Sequence, residues 1–370
     1  SQSFIGSRHD NEIECRAMTS LAPTIVQAPK SGGIAFWLIS VWAMILGMVL
    51  LGGITRLTGS GLSMVDWHPL MGAFPPVDED QWNNVFDLYK QSPQFLKVNQ
   101  WMDLEAFKKI FFWEYLHRMV GRLIGVVVLL PCIYFWIRGK LSKPLLLKTM
   151  LAIFLGGLQG LLGWFMVKSG LVDDPKVSHF RLAAHLVLAM LVGQWILWML
   201  LDLHYCKRPP TPVSRRLRIT IWSFVLLLLL QITYGAFVAG LRAGHMAMTF
   251  PDMNGYFAPH HFFTSGNLWQ DMVHTPLAIH FIHRTLGLIV LLVGGLLFWR
   301  IRRTEGAGSS GLCGASAITA TLLFIQVGFG IWTLVSFVSI PIAVAHQGIG
   351  FLLLGSSFCM LHRSRTSQPT

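Results

Sequence analysis

The chain has 370 residues, 53% of them hydrophobic and only 12% charged, against about 25% charged in an ordinary soluble domain. That composition, carried in repeated apolar runs, excludes a water-soluble globular fold and points to an all-α integral membrane protein. The net charge of +12 fits membrane orientation better than nucleic-acid binding, because the basic residues cluster in the short connections between apolar runs.

Residues 1–32 form a polar N-terminal segment containing Asp10, Glu12 and Glu14, unlike an acid-poor, Arg-rich transit peptide. Eight runs then follow that are long enough to cross a bilayer, at 33–54, 113–137, 145–167, 181–203, 217–240, 275–299, 312–335 and 340–361. Runs of this length in lipid are helical, since a helix satisfies its own backbone. The first span leads into a long aromatic loop of mixed charge, 55–112. The connection between the second and third spans carries Arg138, Lys140, Lys143 and Lys148 without acidic company, and that between the sixth and seventh carries Arg300, Arg302 and Arg303 before Glu305. By the positive-inside rule these connections and both termini face the cytoplasm or matrix, in a bacterial cytoplasmic or a mitochondrial inner membrane. The third span holds Gly156, Gly160 and Gly163, which close helix packing explains. Gly306 to Gly311 reads as a flexible inner linker. Five cysteines, Cys15, Cys132, Cys206, Cys313 and Cys359, include no CxxC pair, and none is expected outside, so neither a disulfide framework nor a zinc site is suggested.

The chain repeats itself. The second span reads Glu114-Tyr-Leu-His117-Arg118-Met-Val-Gly121 and the sixth reads His280-Phe-Ile-His283-Arg284-Thr-Leu-Gly287. Gln159 in the third span matches Gln326 in the seventh, and His185 in the fourth matches His346 in the eighth. The loop ends Gly72-x-Phe74-x-Pro76 and Gly255-x-Phe257-x-Pro259 also correspond. Four spans return the chain to its starting side, so the repeat implies two parallel four-helix bundles. They comprise residues 33–203 and 217–361, with an inner linker at 204–216 and a tail at 362–370.

His117, His185, His283 and His346 each lie a turn or two inside an even-numbered span, at one expected depth. Two such histidines per bundle suit a bis-histidine heme, whose iron takes imidazoles from both faces of the porphyrin. Helix-to-helix hydrogen bonding is the plainer alternative. The repeat aligns His283 with His117, so His280 is a neighbour and not a ligand. Glu114, the single acid expected within a span, precedes His117 by three residues and shares its side of the helix. It reads as a functional carboxylate or as an interfacial one balanced by Lys108, Lys109 or an arginine. Arg118, Arg122 and Arg284 are candidate partners for heme propionates, with Arg56 and Arg242 as weaker ones, against a plainer role as cations snorkelling to the interface.

Several motifs, in order, resemble the heme A synthase family: GGITRLTGSGLSM from Gly52 with Asp66-Trp67, EYLHR from Glu114, GLLGWFMVKSGL from Gly160, RLAAHL from Arg181, GAFVAGLRAG from Gly235, HR at His283 and AHQ at Ala345. The resemblance covers about 33–361. It implies two pseudo-repeated four-helix bundles and oxidation of the C8 methyl of heme O to a formyl through a hydroxymethyl stage. It implies that His117 and His185 face substrate heme O, that His283 and His346 ligate a permanent heme b serving as electron relay, and that Glu114 is the essential carboxylate. Heme O synthase and an electron donor such as ferredoxin are the implied partners, and homo-oligomerisation is left open. The first outer loop lacks the cysteine pair of some members, so the chain resembles the mitochondrial and proteobacterial type. The rival functions are a diheme electron-transfer cytochrome, which would carry two permanent hemes, and a heme transporter, for which the inner leaflet offers no clear polar pathway.

Overall fold

The computed structural model describes residues 32–65, 74–172, 175–205, 213–258, 265–305 and 310–365. Contacts divide the chain into residues 1–33 and 34–370; of the first unit only Gly32 and Gly33 are described, at the start of the first long helix. In chain order the α-helices are α1 Gly32–Leu57, α2 Glu79–Lys90, α3 Leu104–Ile137, α4 Lys143–Lys168, α5 His179–His204, α6 Arg215–Gly240, α7 Leu268–His274, α8 Pro276–Glu305, α9 Ser310–Val335 and α10 Ile340–Arg363. Eight of these, all but α2 and α7, are long and apolar enough to cross a membrane. The protein is therefore an all-α, multi-pass membrane protein. Asp66-Trp67, Gly72, Pro259, Cys15, Cys206 and most of the 1–32 segment lie outside the described residues.

Local chemistry sets the helix ends. Asp103 accepts a hydrogen bond from the Ala106 N–H at 2.8 Å and opens α3, and Asp78 does the same for α2 through Gln81. Pro144 and Pro341 sit in the first turns of α4 and α10, where a missing N–H costs nothing. Pro131 inside α3 is a harder case, because it cannot donate to the carbonyl of Val127. The indole Nε1 of Trp37, on α1, donates to that carbonyl at 2.8 Å. A neighbouring helix thus satisfies what proline frees, as lipid demands. Replacing Trp37 with Phe is expected to cost about 1–3 kcal/mol, the price of an unmet buried acceptor, read as a lower unfolding midpoint in detergent.

The second predicted span, 113–137, is corrected at its start: α3 begins at Leu104 and has 34 residues. At roughly 1.5 Å per residue it is about 51 Å long, well beyond a hydrocarbon core of about 30 Å. Its extra turns carry Phe107, Ile110 and Phe111, which pack against Phe86 and Tyr89 of α2. Burial of these rings, not hydropathy over a membrane-length window, extends the helix. The Tyr89 hydroxyl donates to Gln94 at 3.1 Å and accepts from Asn99 at 2.8 Å, while Gln94 donates to the carbonyl of Gly59 at 2.7 Å. The long loop is thereby tied to the end of α1. Gly311 is already helical in α9, so the expected Gly306–Gly311 linker is shorter; residues 306–309 lie outside the described residues.

Helices α1, α5, α6 and α10 are the most buried of the spans, and α3, α4, α8 and α9 flank them. Close approach needs small residues: a Cβ at Gly193 of α5 would lie 2.6 Å from the buried ring of Phe351 on α10. Gln347 of α10 donates to the Val49 carbonyl of α1 at 2.7 Å. Asp202 also corrects an expectation, since Glu114 is not the single acid within a span. Asp202 lies in the last turns of α5 and accepts from Lys148 of α4 at 2.6 Å, His362 of α10 at 2.9 Å and Arg365 at 2.6 Å. This ion cluster joins three elements at the end of the bundle opposite the long loops.

Candidate functional site

All four singled-out histidines, with Glu114, His280, Arg118, Arg122 and Arg284, line one cavity of about 2160 Å³. An ordinary small-molecule pocket holds roughly 300–1,000 Å³, so this space suits more than one ligand or a very large one. Residues of the long loop, among them Gln94, Val98, Asn99, Trp101 and Met102, form part of its wall. So do Phe250, Pro251 and Met253 of the second long loop.

Each histidine lies against a glycine of the preceding span. A Cβ would stand 3.2 Å from His117 Cε1 if built at Gly52, 3.0 Å from His185 Cε1 at Gly163, 3.0 Å from His283 Cε1 at Gly235 and 3.1 Å from His346 Cε1 at Gly330. Each glycine is five residues before the last residue of its helix, Leu57, Lys168, Gly240 or Val335. All four contacts therefore sit at one depth, about 7.5 Å from the long-loop end at roughly 1.5 Å per residue. His117 is much farther into its helix than expected, because α3 starts early, yet its level is shared. His117 and His185 line the same cavity, as do His283 and His346. The Nδ1 atoms of His117, His283 and His346 are buried without a hydrogen-bond partner. Nε2 of His346 lies 3.5 Å from Gln326 Nε2.

Gln159 Nε2 donates to the carbonyl of His185 at 2.9 Å and lies 3.1 Å from its Nδ1. Gln231 Nε2 donates to the carbonyl of His283 at 3.0 Å. Gln231, and the place of the four glycines beneath the histidines, escaped the sequence reading. The signal in the sequence is Gln-x-x-x-Gly, at Gln159–Gly163, Gln231–Gly235 and Gln326–Gly330, which recurs between successive helix pairs. The packing account of the third-span glycines is corrected in part. Gly163 meets His185, whereas a Cβ at Gly156 or Gly160 would meet nothing within 4 Å, and both positions border the cavity.

Glu114 is buried, at 3% exposure. Its Oε2 accepts from the Ser63 N–H and hydroxyl, both at 2.7 Å, and from the Met64 N–H at 2.9 Å; its Oε1 accepts from Arg118 at 2.5 Å. Only acceptors fit these donors, the pattern of an ionised carboxylate. Its charge partner is Arg118, not Lys108, which pairs with Glu105 at 2.7 Å. Arg118 also donates to the Met64 carbonyl at 3.1 Å. In the matching place Arg284 donates to the carbonyls of Pro251 and Asp252 at 3.1 and 2.8 Å, and its Nη1 is buried without a partner. Each arginine that follows a cavity histidine thus pins a long loop. Arg56 donates to the carbonyls of Ala239 and Gly240 at 2.9 and 3.0 Å, capping the end of α6.

The fold and site define a class: a helical membrane protein, with eight spans among the described residues, in which His117, His185, His283 and His346 line one shared cavity. The chain belongs to the cytochrome oxidase assembly protein family (COX15-CtaA), whose family model matches residues 35–358. It is 44% identical over 339 residues to a protein of Rhodospirillum centenum called heme A synthase, covering 91% of this chain and 89% of that one. It is 40% identical to the heme A synthase of Parvibaculum lavamentivorans, covering 89% and 94% of the two chains, and 39% identical to that of Nitrosospira multiformis, covering 90% and 93%.

Proposed function

We propose that this chain is a heme A synthase, an oxidoreductase that converts the C8 methyl group of heme O to a formyl group. Residues 33–203 would form the substrate half and 217–361 the half that keeps heme b, with both termini on the cytoplasmic or matrix side. The observation that carries the reading is an asymmetry between matched histidine pairs. Glu114, buried and charged, lies one turn before His117 in the first half, and the same place in the second half is His280, which is neutral or cationic.

The residues fit the groups assigned to them. The glycines beneath the histidines keep the rings against the preceding helix, and His117, His185, His283 and His346 all border the cavity in which they would hold iron. Arg284 Nη1, buried and without a partner, is a donor for a propionate, and Arg118 and Arg122 border the same cavity. When bound, heme b supplies one-electron transfer. Within the chain, Glu114 holds a proton-accepting charge beside the substrate face, and Ser63, Met64 and Arg118 fix where that charge stands. Heme O synthase would supply the substrate and a ferredoxin-like protein would exchange electrons with the resident heme, while an external oxidant takes up the electrons removed in turning the methyl into a formyl group.

Expression in cells that make heme O but no heme A tests this reading. Extraction and chromatography are expected to yield heme A when the chain is present. Two hemes recovered unmodified from the purified protein, with no heme A in the cells, would replace the enzyme with a diheme electron-transfer cytochrome.

A further inference from the structure

Of the histidines His117, His185, His283 and His346, the last three share one kind of neighbour and the first does not. Gln159, Gln231 and Gln326 stand four residues before Gly163, Gly235 and Gly330 and reach His185, His283 and His346. Four residues before Gly52 stands Met48. Its place is equivalent in space as well as in sequence. The Met48 methyl would lie 3.3 Å from a Cβ at Gly121, four residues after His117, just as the Gln231 and Gln326 amides would lie 3.1 and 3.3 Å from Cβ atoms at Gly287 and Gly350. All four side chains line the cavity.

A carboxamide both donates and accepts, whereas a thioether is a weak acceptor and donates nothing. Gln159 and Gln231 tie the histidine's own carbonyl to the preceding helix at the level of the ring. Met48 cannot make that tie. Outer partners of a ligating imidazole hold its orientation and raise its strength as a ligand. We propose that Met48 makes His117 the weak axial ligand, so that the His117–His185 site exchanges its heme while the His283–His346 site retains it. The inference rests on the two-heme reading of the preceding section and adds which ligand lets go. Such a difference is what a shared cavity needs if one heme is substrate, which must leave as product, and the other is resident. Met48 is a positioning residue in this scheme, acting through His117.

The test uses the purified full-length protein loaded with hemin and followed by heme transfer to excess apomyoglobin. Two phases are expected. Met48→Gln should slow the fast phase by about 10-fold or more, the scale of an outer-shell partner's effect, and raise the low-spin ferric fraction. The reciprocal Gln231→Met should speed the slow phase by a similar factor, and it decides the matter if Met48→Gln does not accumulate. Folded variants whose phases match wild type, or a wild type with two phases of equal rate, would overturn the role of Met48 and leave the two-heme reading standing. Wild-type protein that takes up no hemin, or whose uptake survives loss of all four histidines, would overturn the two-heme reading itself.

Discussion

Glu114→Gln is expected to leave a folded protein that keeps its His283–His346 heme while heme A formation falls at least about 100-fold, the lower scale for losing a positioned acid or base. The amide is close in shape to the carboxylate, and its oxygen can still accept from Ser63 and Met64, so the loop that carries them stays tied to α3. Its NH₂ group would face Arg118, so the charge beside the substrate is lost with little change of form. Glu114→Ala is the blunter change. It strands the Arg118 guanidinium, only 15% exposed, and a buried pair broken on one side costs about 3–5 kcal/mol. The variants therefore separate two roles. Chromatography of extracted hemes measures the chemistry, and the reduced-minus-oxidised spectrum of the purified protein measures the retained heme. Heme A at wild-type levels from the Gln variant would reduce Glu114 to a loop anchor.

The second large effect divides the two histidine pairs. His283→Ala and His346→Ala are each expected to abolish both the resident heme signal and heme A formation, since a bis-histidine iron loses an axial ligand. His185→Ala is expected to abolish heme A formation while the resident signal persists. Pyridine hemochrome assay against protein concentration, with product chromatography on the same samples, reads both. If His185→Ala removes the resident heme and His346→Ala spares it, the roles of the two halves are exchanged.

The membrane fold was legible because hydropathy is a one-dimensional signal: a lipid-spanning helix must be apolar along its whole length. The four histidines were legible for a related reason, since a polar ring inside such a run stands out and its recurrence fixes its partner. What escaped was carried by residues with no unusual chemistry. Gly52, Gly163, Gly235 and Gly330 matter only because a ring lies on each of them, and a glycine in a membrane helix is otherwise ordinary. The outer turns of α3 are held by Phe86, Tyr89, Phe107 and Phe111, a tertiary cluster that no window over one segment detects. Asp202 was passed over at a predicted span end, where its partners Lys148, His362 and Arg365 come from distant sequence. Glu114 was found from sequence, but its anchors Ser63 and Met64 were not, because they lie some fifty residues earlier in a loop.

The most direct measurement is a single-particle map of the purified protein supplied with heme O. Iron is expected between His283 and His346 and between His117 and His185, with Glu114 beside the porphyrin edge of the second of these sites. A map with porphyrin in the cavity but iron held by other residues, or with the Glu114 side of the cavity empty and heme O bound elsewhere, would contradict the assignment of these four histidines.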